Sequence, residues 1–243
     1  MLSKIILRAL KKGGNVMDRT SRSSLFNLLR LLSVVFLLLT PLAYAKEKPE
    51  DKELSAMLTQ IHQLQQRLDK NPSDYELLRN LGIACHDAAV KDSKVYAQKA
   101  VQYLEKAHQK KIDDNVVLCY LGSAYTLLAK DASNPMDRMS YASKGFEYMD
   151  KAVRKDSDDI SDYVRIRLVR ANNSMRLPKA LNRRPIAYED FEVLASLFQK
   201  GLNVSPPLKI SVYHSLAAMY KEDGNMAEAE RYHTMAETVQ KEE

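Results

Sequence analysis

Tryptophan is absent from this 243-residue chain, glycine occurs seven times and cysteine twice. Each shortage removes a class of protein. So few glycines leave no glycine-rich phosphate loop, and no Gly-x-Ser-x-Gly element occurs. Cys85 and Cys119 are too few for a disulfide framework and form no Cys-x-x-Cys pair. Both fall in the middle of predicted helices among apolar neighbours, which predicts two buried free thiols. There is no His-Glu-x-x-His, and His62, His86, His108, His214 and His233 stand at no metal-ligand spacing. Neither a metal nor a cofactor is expected. Cys85 and His86 adjoin, but neighbours on a helix point about 100° apart and cannot form a nucleophile–base pair. An enzyme is therefore not expected; the competing enzymatic reading would put a site in the long turns around Asp137 and Arg183.

The first 45 residues read as a targeting segment. A basic lead (Arg19, Arg22, Arg30) precedes an apolar run from Leu31 to Leu39, then Pro41 and the small-x-small pattern Ala43-Tyr44-Ala45. That order is a secretory signal with cleavage after Ala45. An uncleaved inner-membrane anchor is the alternative, although the run is short of the ~20 residues a span needs. Translation is expected to start at Met17, with Lys12-Gly13-Gly14 upstream encoded by a ribosome-binding sequence. Seven of the 37 basic and one of the 31 acidic residues lie in this segment, leaving 30 of each beyond it. The excess of +6 thus belongs to the leader, and a nucleic-acid partner is not expected. The expected location is periplasmic or secreted.

Beyond the leader, apolar residues recur at helical spacing almost everywhere. Leu54, Leu58, Ile61, Leu64 and Leu68 form one stripe, ended by Asn71-Pro72, so residues 46–71 are predicted to be an N-terminal capping helix. Residues 72–243 then repeat themselves. A helix carrying a large–small pair (Leu81-Gly82, Leu121-Gly122, Leu216-Ala217) is followed by a helix with two small residues seven apart (Ala100 and Ala107, Gly145 and Ala152, Ala229 and Ala236). Seven residues is two helical turns, so both small residues share a face and mark where two helices press together.

At these positions the chain resembles the tetratricopeptide repeat family, most closely in the last block with Leu216, Ala217, Tyr220, Gly224, Ala229 and Ala236. Asn225 with Glu228 three residues on gives a capping-box pattern. The resemblance implies an all-α fold: a right-handed α-solenoid of about four helical hairpins behind the capping helix. HEAT-like helical pairs, which have a longer period, are the rival architecture. Two departures stand out. The interval from Gly82 to Gly122 is 40 residues instead of 34, with the extra residues expected between the helices of each hairpin. The block from Ile160 to Asn203 is degenerate: Arg167 falls where a small residue belongs.

The resemblance also implies a concave face that holds another protein. Its lining would be Arg79, Ile83 and His86, then Cys119, Ser123 and Thr126, then His214 and Lys221; the partner itself is unspecified. One charge feature remains. Residues 164–188 hold seven basic side chains and no acid, including Arg176, Lys179, Arg183 and Arg184. Either they pair with the flanking acids or they bind an anionic envelope component, such as lipid headgroups or an acidic polymer. An external anion would account for Arg183 and Arg184 at the helix N-terminus that Pro185 predicts, where cations are unfavourable; a surface ion pair with Glu189 or Asp190 is the plain alternative. The acid run Asp156, Asp158, Asp159, Asp162 lacks calcium-loop spacing and is expected to start a helix.

Overall fold

The computed structural model describes residues 49–154 and 159–241. They form nine α-helices: α1 (Pro49–Lys70), α2 (Tyr75–Lys91), α3 (Ser93–Lys110), α4 (Asn115–Asp131), α5 (Pro135–Arg154), α6 (Ile160–Arg176), α7 (Arg184–Gln199), α8 (Pro206–Glu222) and α9 (Met226–Lys241). A 3₁₀ turn, Lys179–Leu181, lies between α6 and α7. No strand occurs among the described residues. The architecture is an α-solenoid: α2/α3, α4/α5, α6/α7 and α8/α9 pair as hairpins, and α2, α4 and α6 pack side by side. The leader and Asp156 and Asp158 lie outside the described residues.

The small residues act as notches. Leu81 and Gly82 are buried against α3, where Leu104, Ala100 and Ala107 are fully covered. The second hairpin is tighter. A Cβ on Gly122 would stand 2.6 Å from the Gly145 carbonyl oxygen, and one on Gly145 would stand 2.7 Å from the Gly122 carbonyl. Backbone there meets backbone, so no side chain fits at either position. Ala152, Ala229 and Ala236 are buried as the repeat pattern predicts. Leu64 and Leu68 of α1 join the core of the first hairpin, which makes α1 the N-terminal cap.

Helix ends follow local chemistry. Asp74, Asp114 and Asp159 each accept a hydrogen bond from a backbone N–H of the first turn that follows. Asn134 caps α5, its Oδ1 accepting from Met136 N at 2.9 Å, and Pro135 takes the first helical position. α8 ends in a Schellman motif: Gly224 has φ +81°, and Asn225 N–H donates to Tyr220 O at 2.9 Å.

Three expectations need correction. The capping box is half-formed: Glu228 N–H donates to Asn225 Oδ1, but Asn225 N–H already serves the Schellman turn, and the Glu228 carboxylate pairs with Arg231. The extra residues of the long repeats do not lie in the first hairpin turn, where Asp92 alone separates α2 from α3; they lengthen helices, α5 reaching 20 residues. The helix predicted to begin at Pro185 begins one residue earlier, with Arg183 at the N-cap.

Candidate functional site

The face where α2, α4 and α6 meet is where the family resemblance locates a binding groove. Its floor is polar and closed. His86 Nε2 lies 2.8 Å from Ser123 Oγ, and Asn173 Nδ2 donates to Ser123 Oγ at 3.2 Å and to Thr126 Oγ1 at 2.5 Å. Cys119 Sγ donates to Ile166 O at 3.4 Å. His86, Cys119, Ser123 and Thr126 are all buried. These four, expected to line an open groove, are instead the contacts by which α4 locks onto α2 and α6. The reason is their size: short polar side chains on α4 let the first helices approach closely enough to exclude solvent. Asn173 completes the ladder and was not singled out from the sequence, because one Asn on an amphipathic helix looks like surface.

The ladder contains an arrangement reminiscent of nucleophilic catalysis. Asp87 Oδ1 sits 3.1 Å from His86 Nδ1, and His86 Nε2 faces Ser123 Oγ. Geometry argues against acyl transfer. Ser123 lies in the middle of α4, where neighbouring amides are held by helix hydrogen bonds and cannot stabilise an oxyanion. Its Oγ is covered and already contacted by Asn173. The trio is a structural relay. Both cysteines are free and buried; burial pushes the Cys85 thiol up to about 11 and raises Cys119 further.

Above the ladder runs an accessible strip drawn from three helices. Arg79 and Ile83 are half-buried and Asp87 exposed on α2, Tyr120 is half-buried on α4, and Arg165 is exposed on α6. Tyr120 meets the His86 ring edge-on at 4.9 Å. Burial first, and Asp87 next, raise its phenol to about 12, while Arg165 and Arg79 pull the other way, so all three charges act on one ring. Arg79 Nε donates to Asp114 Oδ2 at 3.2 Å, and the Tyr75 hydroxyl donates to the same carboxylate, which also caps α4. His214 and Lys221 are exposed on α8.

The basic segment is different from the expectation. Arg183 donates twice to Asp150, at 2.8 and 2.7 Å, with its guanidinium 4.7 Å above the Phe146 ring. Arg184 pairs with Asp223 at 2.7 Å and Glu222 at 3.0 Å and donates to Met219 O at 2.7 Å. Lys179 lies 3.7 Å from Asp223, and Arg176 is exposed. The arginine pair therefore has local partners, which offset the cost of two cations at the N-terminus of α7 without an external anion. The partners, Asp150, Glu222 and Asp223, come from other hairpins, which sequence adjacency could not reveal.

Behind this segment lies the most buried charge. Asp190 is fully covered and receives Arg170 Nε and Nη2 at 2.7 and 2.9 Å and Arg167 Nη1 at 2.7 Å. Three short guanidinium contacts are those of an ionised carboxylate. Burial still pushes Asp190 above the ordinary carboxylate value, against the pull of both arginines. Burial opposes the Arg170 charge too, but Asp190, Glu189 and Asp150 outweigh it and hold the guanidinium protonated. Arg170 also reaches Asp150 at 3.2 Å, so the cluster joins α5, α6 and α7. It explains Arg167 in a small-residue position: the third hairpin closes on an ion cluster instead of a notch. A signal existed, since Asp190 interrupts the apolar face Ala187, Phe191, Leu194.

Among the described residues, no group of three or more His, Cys, Asp or Glu is placed to hold a metal ion. No helix among them is long and apolar enough to cross a membrane. Compared with known protein families and with curated proteins, the chain has no match in either. One solved structure, described as the crystal structure of MamA, aligns with 80% of this chain and 96% of its own at 18% identity and a TM-score of 0.47.

Proposed function

We propose that this protein is an exported scaffold that holds a protein or peptide along the strip formed by Arg79, Ile83, Asp87, Tyr120 and Arg165. The observation that carries the reading is the strip itself: one mixed surface, apolar at Ile83 and Tyr120 and charged at its margins, built from three successive first helices. Stacked hairpins suit such a role, because notched contacts fix the helices rigidly and a partner meets a preformed face. The aromatic and arginine content is that of interface centres. Export is supported by the basic, apolar, Ala-x-Ala order of residues 17–45.

A photoreactive amino acid at Ile83 or Arg165, with one at the exposed α3 position Gln98 as control, tests the strip in the native cell. The expected outcome is one adduct of fixed size from positions 83 and 165 and none from 98. Arg165→Glu should reduce the adduct yield from position 83 without lowering the melting temperature. Equal adducts from all three positions, or none from the strip, would overturn the assignment.

A further inference from the structure

The topology sorts the exposed apolar side chains. Each hairpin is antiparallel, so the four hairpin turns lie at one end of the stack and the connections between hairpins at the other. α1 begins at the turn end, where Glu53 of its first turn pairs with Lys91, the last residue of α2, at 3.0 Å. Nine large apolar side chains are exposed among the described residues. Six of them, Val90, Val95, Met136, Met139, Leu181 and Met226, sit at the turn end, whereas Ile112 and Ile160 sit at the other. An even scatter would need no explanation; a one-sided collection does.

The tip of α5 shows it most strongly. Residues 133–140 are exposed throughout, and Met136 (74% exposed) and Met139 (69%) stand three residues apart on one helix face. The charges of this end are matched only in part within the protein, and Lys94, Lys130, Asp131, Asp137, Arg176 and Lys221 are exposed beside the apolar tips. Lys91 pairs with Glu53, Arg184 with Glu222 and Asp223, and Lys179 with Asp223, while Arg138 donates to Ala132 O at 2.8 Å. Apolar tips among exposed charges suit the headgroup layer of a bilayer, where side chains insert and charges stay wet.

Covalent connection points to the same occupant. Glu53, at the turn end, follows the apolar run Leu31–Leu39 by 14 residues from Leu39, a tether of no more than about 50 Å. A leader that is not cleaved and is held in a membrane limits how far Glu53 can lie from it. We propose that the hairpin-turn end is a membrane-docking edge, with Met136 and Met139 entering the headgroup layer. The proposal rests on the export reading in its anchored form, in which the leader is not cleaved after Ala45 and brings the edge to the membrane.

The test uses the full chain reconstituted with phosphatidylethanolamine–phosphatidylglycerol vesicles. Met136→Cys, Met139→Cys and Ile112→Cys each receive a polarity-sensitive thiol fluorophore; Cys85 and Cys119 are buried and do not compete. Ile112 is the matched control, as exposed as Met136 at 74% but at the opposite end. Docking predicts blue-shifted emission and quenching by brominated lipid at 136 and 139, with an aqueous spectrum at 112. If the chain floats with vesicles but 136 and 112 behave alike, the edge is refuted and the leader is not. A chain that fails to float refutes both. A blue shift at 136 that persists without vesicles marks a protein contact and refutes the membrane as occupant.

Discussion

Replacing Asp190 by Ala perturbs the most deeply placed charge in the fold. Asp190 is fully buried and receives three guanidinium hydrogen bonds, two from Arg170 and one from Arg167. Its removal leaves Arg170 in a covered site with only the longer contacts to Asp150 at 3.2 Å and Glu189 at 3.3 Å. Breaking one side of a buried pair costs about 3–5 kcal/mol, and those two remaining contacts place this case near ~3. For a domain of this size that is roughly 6–12 °C in melting temperature. Glu53→Ala, which breaks the exposed Lys91 pair, is the reference and should cost about 0–1 kcal/mol. The double replacement Arg170→Met with Asp190→Leu removes both charges from the centre and should recover most of the loss, since apolar packing substitutes well for a buried pair. Thermal and urea melts of the four proteins measure this. An Asp190→Ala loss no larger than that of Glu53→Ala would refute the claim that the third hairpin closes on charge. So would a double variant less stable than Asp190→Ala.

Other outcomes follow from the same contacts. Gly122→Ala should cost about 1–3 kcal/mol, because its Cβ meets the Gly145 carbonyl and the Met149 backbone; Gly82→Ala should cost less, since it meets chiefly the movable Leu104 side chain, and melts would rank them. Arg183→Ser with Arg184→Ser should lower the melting temperature, most of the loss coming from the bidentate Asp150 contact; an unchanged melt would return these arginines to the anion-binding reading. Burial would raise the Asp150 carboxyl, yet Arg183 and Arg170 outweigh it and hold it below the ordinary 3.8; for Asp114, likewise desolvated, Tyr75, Val117 N–H and Arg79 do the same. Their folded values lie below their unfolded ones, so the stability they supply is complete above pH ~4 and disappears as pH falls through the folded values. Melts of Asp150→Asn from pH 7 downward should therefore show a shallower acid loss than the parent. Cys85 and Cys119 should react with a thiol reagent near neutral pH only on unfolding, which mass shifts with and without denaturant would show.

Much of this protein was legible in one dimension because helices are local. Periodicity located the helices, Asn134-Pro135 and Gly224-Asn225 marked caps through hydrogen bonds within a few residues, and small residues seven apart predicted which faces touch. Only the tertiary structure decided which polar residues remain accessible. Cys119, Ser123 and Thr126 occupy groove positions by spacing, yet α6 covers them, and no pattern within α4 announces how closely the next helix approaches. Arg167, Arg170, Arg183 and Arg184 looked surplus because their acids come from α5, α7 and the end of α8. Charge pairing acts over a few ångströms of space regardless of distance along the chain, so a count of charges along one segment misses the acids that other helices bring to Arg167, Arg170, Arg183 and Arg184.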